Sequence, residues 1–79
     1  MNIQILNFYF QKNGYGRNAN KMYFNYFKNG YEVKIFRTTN KAIIIKDGLI
    51  LFETGIPTNE ASIVKWINIL IAKHENQND

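Results

Sequence analysis

One imidazole, one serine and no thiol are all that this chain offers to nucleophilic chemistry: His74, Ser62, and no cysteine anywhere. A nucleophile needs a base and an orienting group within hydrogen-bond reach. Ser62 and His74 share one helix-like segment and stand about 18 Å apart along its axis, so they do not meet within one chain. Glu32-Val33-Lys34 matches half of the E-x-K hairpin of metal-dependent nucleases. A cation there needs a second carboxylate, and no acidic residue precedes Glu32. Glu53 and Glu60 are separated by a linker and a helix start, so they are no facing pair for glycoside chemistry. Gly14-Tyr15-Gly16-Arg17 could offer backbone N–H groups and a cation to a phosphate. It lacks the third glycine and the following helix of a dinucleotide fingerprint, and reads as a flexible loop. No catalytic residue, metal ligand or cofactor is expected, and the chain reads as a non-enzyme.

The elements that would position any site must come from burial alone. Seventy-nine residues make one small domain (1–79), near the lower size at which a single core suffices. Without cysteine there is neither a disulfide framework nor a thiolate site. The longest apolar runs, Ala42–Ile45 and Leu49–Phe52, are far too short to span a membrane. A cytoplasmic protein is expected, with no membrane partner. The formal charge of +4 favours an acidic partner or nucleic acid. Asn, Ile, Lys, Phe and Tyr make up more than half of the chain. Their AT-rich codons suggest a low-GC bacterium, or its phage or plasmid.

Residues 2–10 mix β-branched and aromatic types on both alternating faces and predict a strand. Residues 11–20 predict a polar loop. Asn29-Gly30 between alternating runs predicts a hairpin over 21–38 with a type I′ turn. Its core face would be Met22, Phe24, Tyr26, Tyr31, Val33 and Ile35. A helix over 18–29 is the competing reading. Asp47-Gly48 predicts a second hairpin over 42–53, pairing Ile45 with Ile50 and Ile43 with Phe52. Aligning the two apolar faces calls for an odd connection at 38–41 that pairs Ile35 with Ile45, because a one-residue slip flips every side chain. Asn40 or Lys41 would take the left-handed conformation. Residues 58–75 carry the clearest helical period, with Thr58 as N-cap. Trp66, Leu70, Ile63, His74, Ile67, Ile71 and Val64 form its covered arc, and Ile69 stands alone on the polar arc. Residues 76–79 read as a polar tail. The expected fold is α+β, an antiparallel meander of four to five strands with one C-terminal α-helix on one face.

The second face of the first hairpin interleaves aromatic and basic residues: Lys21, Tyr23, Phe27, Lys34 and Phe36. Three coverings suit it: the N-terminal strand and the 11–20 loop, a protein partner, or nucleic acid stacked on the rings. With Ile69 as a further contact, the first expectation is a small protein-binding module. It would be an inhibitor or regulator of the anti-restriction or anti-CRISPR type carried by phages and mobile elements, acting on a nucleic-acid-processing complex. A homodimer is a second possibility, through Ile69 with Ala61 and Ala72 beside it and an N-terminal strand that is apolar on both faces. The alternative is a nucleic-acid-binding domain using Lys12, Arg17, Tyr23, Phe27, Lys34 and Phe36.

Overall fold

The computed structural model describes residues 1–77. The chain begins with a helix, α1 (Ile3–Lys12), where alternation suggested a strand over 2–10. Asn2 starts it: the side-chain Oδ1 accepts from the N–H of Gln4 at 3.0 Å and of Ile5 at 3.2 Å, which is N-capping. Leu6 and Phe10, four apart, are fully buried, while Ile5 and Phe8 point to the opposite side and are exposed. The two apolar faces of the supposed strand are thus the inner and outer sides of a helix. Packing on one side overrides the modest β-preference of these residues. At the far end Gly14 takes φ +87°, and Tyr15 N–H donates to the Phe10 carbonyl at 3.0 Å. That is a Schellman stop requiring a left-handed residue. The glycine loop is therefore a helix end.

The predicted 11–20 loop also contains a short strand, β1 (Gly16–Asn18). It is followed by β2 (Phe24–Lys28), β3 (Tyr31–Phe36), β4 (Lys41–Lys46) and β5 (Leu49–Gly55), then α2 (Glu60–Gln77). The strands form one antiparallel sheet in the order β1-β2-β3-β4-β5. The fold is α+β, a five-stranded meander with a C-terminal helix, to which the N-terminal helix is added.

The β2–β3 hairpin has the expected register, with Lys28 opposite Tyr31, Tyr26 opposite Val33 and Phe24 opposite Ile35. Asn29 and Gly30 both have positive φ, as a type I′ turn demands, and no helix occupies 18–29. Tyr26, Tyr31, Val33 and Ile35 are buried; Met22, expected beside them, precedes β2 and is 83% exposed.

The β3–β4 connection departs from expectation. Four residues, 37–40, join Phe36 to its partner Lys41, and Ile35 pairs with Ala42 in place of Ile45. Asn40 is left-handed, with φ +52°. The even turn puts Ala42 and Ile44 in the core and turns Ile43 and Ile45 to the other face. Both alternating sets are apolar, so hydrophobicity could not choose between them.

The β4–β5 hairpin starts as expected, Ile45 opposite Ile50. A bulge then shifts the register, so that Phe52 faces Ile44 and Glu53 faces Ile43. The expected Ile43–Phe52 pair is lost. The extra residue lets Phe52 pack against the core while Ile50 stays outside at 63% exposure.

Asn59 rather than Thr58 caps α2, its Oδ1 accepting from Ser62 N–H at 3.1 Å. Ile63, Val64, Ile67 and Leu70 are buried, and Trp66, Ile71 and His74 are half-buried beside them. Asn76 and Gln77, expected in the tail, extend the helix; the rest of the predicted tail lies outside the described residues.

Both helices cover the same side of the sheet. Tyr26 donates its hydroxyl proton to Asn7 of α1, the Tyr31 hydroxyl lies 2.8 Å from His74 Nδ1, and Trp66 Nε1–H donates to Thr54 Oγ1 at 3.2 Å. The opposite face receives neither helix.

Candidate functional site

The bare face is built by strand alternation. In β2 and β3 every residue whose neighbour is buried under the helices points outward: Asn25 and Phe27, then Glu32, Lys34 and Phe36. β4 adds Lys41, Ile43 and Ile45, and β5 adds Ile50 and Glu53. The covering of this face by the N-terminal segment, one of the three expected arrangements, does not occur, because that segment is α1 on the other side.

At one corner the Tyr23 and Phe36 rings lie 5.3 Å apart, and Lys34 Nζ stands 4.9 Å from the centre of the Tyr23 ring. This is within cation–π range. At the opposite end Phe27 lies across Gly16, and a Cβ added there would sit 2.3 Å from Phe27 Cζ. Glycine at 16 is the seat for that ring, which remains 44% exposed. Between the two ends runs a polar row: Asn18 Nδ2 donates to Asn25 Oδ1 at 3.3 Å, and Asn25 Nδ2 donates to Glu32 Oε2 at 3.0 Å. Asn25 is thereby satisfied although it is buried.

Of the residues singled out from sequence, Tyr23, Phe27, Lys34 and Phe36 come together here. Lys21 precedes β2 and lines a shallow depression with Tyr23 and Arg37. Ile69 is exposed on the outer surface of α2, and Lys12 lies on α1 with Nζ 6.0 Å from the Phe8 ring. Arg17 pairs with Tyr26 and so points to the helix side. These last three belong to other surfaces. Ile43, Ile45 and Ile50 were expected in the core and lie on the bare face. Only the parity of the 37–40 turn could have revealed them.

The charges on this face balance: Lys34 and Lys41 against Glu32 and Glu53. The other cations of the strands look elsewhere. Lys28 Nζ donates to the Asn13 carbonyl at 2.7 Å, and Lys46 Nζ lies 4.3 Å from the Tyr31 ring on the helix side. The positive charge of the chain is not gathered on its aromatic face.

Among the described residues, His74 and Glu32 do not converge. His74 meets Tyr31 under the helices, and Glu32 is on the bare face with Asn25, so the sheet separates them. Among the described residues there is no group of three or more His, Asp or Glu placed to hold a metal ion. No helix among them is long and apolar enough to cross a membrane. Comparison with known proteins adds no relative to this picture: no family model, no curated protein and no solved structure matches the chain.

Proposed function

We propose that this is a small protein-binding module that uses its bare sheet face, acting as an inhibitor or regulator of a partner protein. The observation that carries the reading is an open five-stranded face with Phe27 and Ile50 exposed and its four charges in balance. Exposed aromatic and aliphatic groups with few net charges are the composition of a protein interface core. A nucleic-acid surface would gather cations along the aromatic row. The phage or mobile-element setting rests on the AT-rich residue profile alone.

The test is affinity capture from extracts of low-GC bacteria, comparing the unaltered protein with Ile45→Asp on the bare face and Ile69→Asp on α2. A partner held by the unaltered protein and by I69D, but lost from I45D, supports the reading. Equal capture by all three rejects it. The alternative, nucleic acid at the Tyr23–Phe36 corner, is favoured by the Lys34 cation over the Tyr23 ring, with the Phe36 ring tilted against it. It requires oligonucleotide binding that weakens steeply with salt and is lost in Lys34→Gln.

A further inference from the structure

β1 is only three residues long, and the chain leaves β2 after Asn18. The gap between the 19–23 bend, the start of β2 and the first turns of α1 is a cleft of 430 Å³. A second cleft of 240 Å³ adjoins it, and the two share Asn7, Arg17 and Tyr26. The first volume falls within the size range of small-ligand sites.

The polar groups here are biased by the hydrogen bonds the protein already makes. Asn20 Oδ1 accepts the N–H groups of Met22 at 2.8 Å and Tyr23 at 3.3 Å. Asn7 Oδ1 accepts the Tyr26 hydroxyl proton. Each amide has its acceptor end engaged, which leaves the Nδ2 donors for a ligand. Arg17 supplies the charge and up to five more donors. Burial pushes the Tyr26 phenol up to about 12, with Arg17 working against that rise, so the phenol stays neutral and the cation is uncompensated by it. No carboxylate lines either cleft. The Tyr23 and Phe24 rings complete the wall of the larger one.

A cavity that presents donors, one guanidinium and two aromatic rings has the chemistry to hold an anion on a flat body. We propose that this cleft binds a small organic anion, a phosphate or carboxylate group carried on a flat apolar or aromatic body, with the anionic oxygens on Arg17, Asn7 and Asn20. The cleft opens at the β1–β2 edge and shares Tyr23 and Asn25 with the bare sheet face, but the anion contacts on Arg17, Asn7 and Asn20 stand independently of the function proposed for that face.

The experiment is an NMR titration of the ¹⁵N-labelled protein with four probes: adenosine 5′-monophosphate, benzoate, inorganic phosphate and uncharged adenosine. Saturable shifts at Asn7, Arg17 and Asn20 with the monophosphate or benzoate, and far weaker ones with adenosine, are expected. The monophosphate and benzoate arms separate phosphate from carboxylate as the preferred group, and inorganic phosphate reads the contribution of the body. Asn7→Asp and Asn20→Asp keep the oxygens that Tyr26 and the bend require while replacing a donor by a negative charge. Each should weaken binding by at least roughly tenfold, as should Arg17→Gln, with the spectrum elsewhere unchanged. Adenosine binding as well as its monophosphate, affinity unchanged in all three variants, or no saturable shift with any anion up to about 10 mM would each overturn the proposal.

Discussion

The hydroxyl of Tyr15 donates to Oδ1 of Asn68 at 2.6 Å, joining the residue ahead of β1 to the middle of α2. Asn68 in turn donates from Nδ2 to Asn13 Oδ1 at 3.2 Å, and Asn13 Nδ2 donates to the Tyr9 carbonyl at 2.7 Å. The relay fastens the end of α1 to α2 beneath a buried aromatic ring. Tyr15→Phe removes the donor and leaves Asn68 Oδ1 without it. A loss of about 1–2 kcal/mol is expected from urea unfolding. Asn68→Ala should cost a similar amount, and the double variant less than the sum, with a coupling of about 0.5–1 kcal/mol. Strict additivity would show that the two side chains do not act together.

Tyr15 and a second buried phenol, Tyr26, set a response to alkali. Burial raises Tyr15 to about 12, and Tyr26 likewise, the latter against an opposing pull from Arg17. In the unfolded chain both ionise near 10. The folded state therefore keeps protons that the unfolded state releases, and the stability is whole below about pH 10 and falls between about pH 10 and 12. Each tyrosine contributes a slope of up to about 1.4 kcal/mol per pH unit in that window. Thermal unfolding followed from about pH 9 to about pH 12 should show a falling midpoint, and Tyr15→Phe should make the fall shallower. A midpoint that is level across the window would contradict the burial of these hydroxyls.

Turn parity can be read by paired substitutions on adjacent residues. Ile44 is fully buried, while Ile45 lies half-buried on the bare face. Ile44→Ala should destabilise by about 2–5 kcal/mol and Ile45→Ala by well under half of that. Chemical denaturation of the two variants decides it. The reverse ranking would restore the odd connection that pairs Ile35 with Ile45.

Gly16 offers a probe of the bare face that leaves the core alone. Alanine at 16 collides with the far end of the Phe27 ring, and that ring can swing toward solvent. Gly16→Ala should therefore cost only about 1 kcal/mol and displace Phe27, seen as loss of the ring-current shifts at residue 16. In a Phe27→Ala background the cost should largely vanish. If Gly16→Ala unfolds the protein, the ring is held far more firmly than its exposure implies.

Features written in adjacent residues were legible. Asn29-Gly30 and Asp47-Gly48 announce their turns, and with them the register of β2 on β3 and the first pairs of β4 with β5. The Tyr23, Phe27, Lys34 and Phe36 grouping followed from that register. The covered arc of α2 was also readable, including the outward Ile69. What escaped depends on partners distant in sequence. Residues 3–12 have aromatic and β-branched side chains at strand-like spacing, and only the packing of Leu6 and Phe10 under the sheet selects a helix. The 37–40 turn is undecidable locally because Ala42/Ile44 and Ile43/Ile45 are both apolar pairs. The bulge at Leu51 escaped for a related reason, since either spacing brings apolar residues together. The cleft at Arg17 was invisible because three separate segments form it, and Arg17 looked like a loop cation.

The meander order bears on how the chain acquires this structure. Its three longest strand pairings close turns of only two, four and two residues, at 29–30, 37–40 and 47–48, whereas the Tyr15–Asn68 bond spans 53 positions. Loop-closure entropy rises with the length enclosed, and topologies dominated by neighbours assemble fast. Hairpins from β2 to β5 can zip one upon another at little entropic cost, while the meeting of α1 with α2 must wait for a surface on which both can dock. The folded protein leaves one face of that sheet without a helix, so the surface proposed for its partner is made entirely by contacts between sequence neighbours.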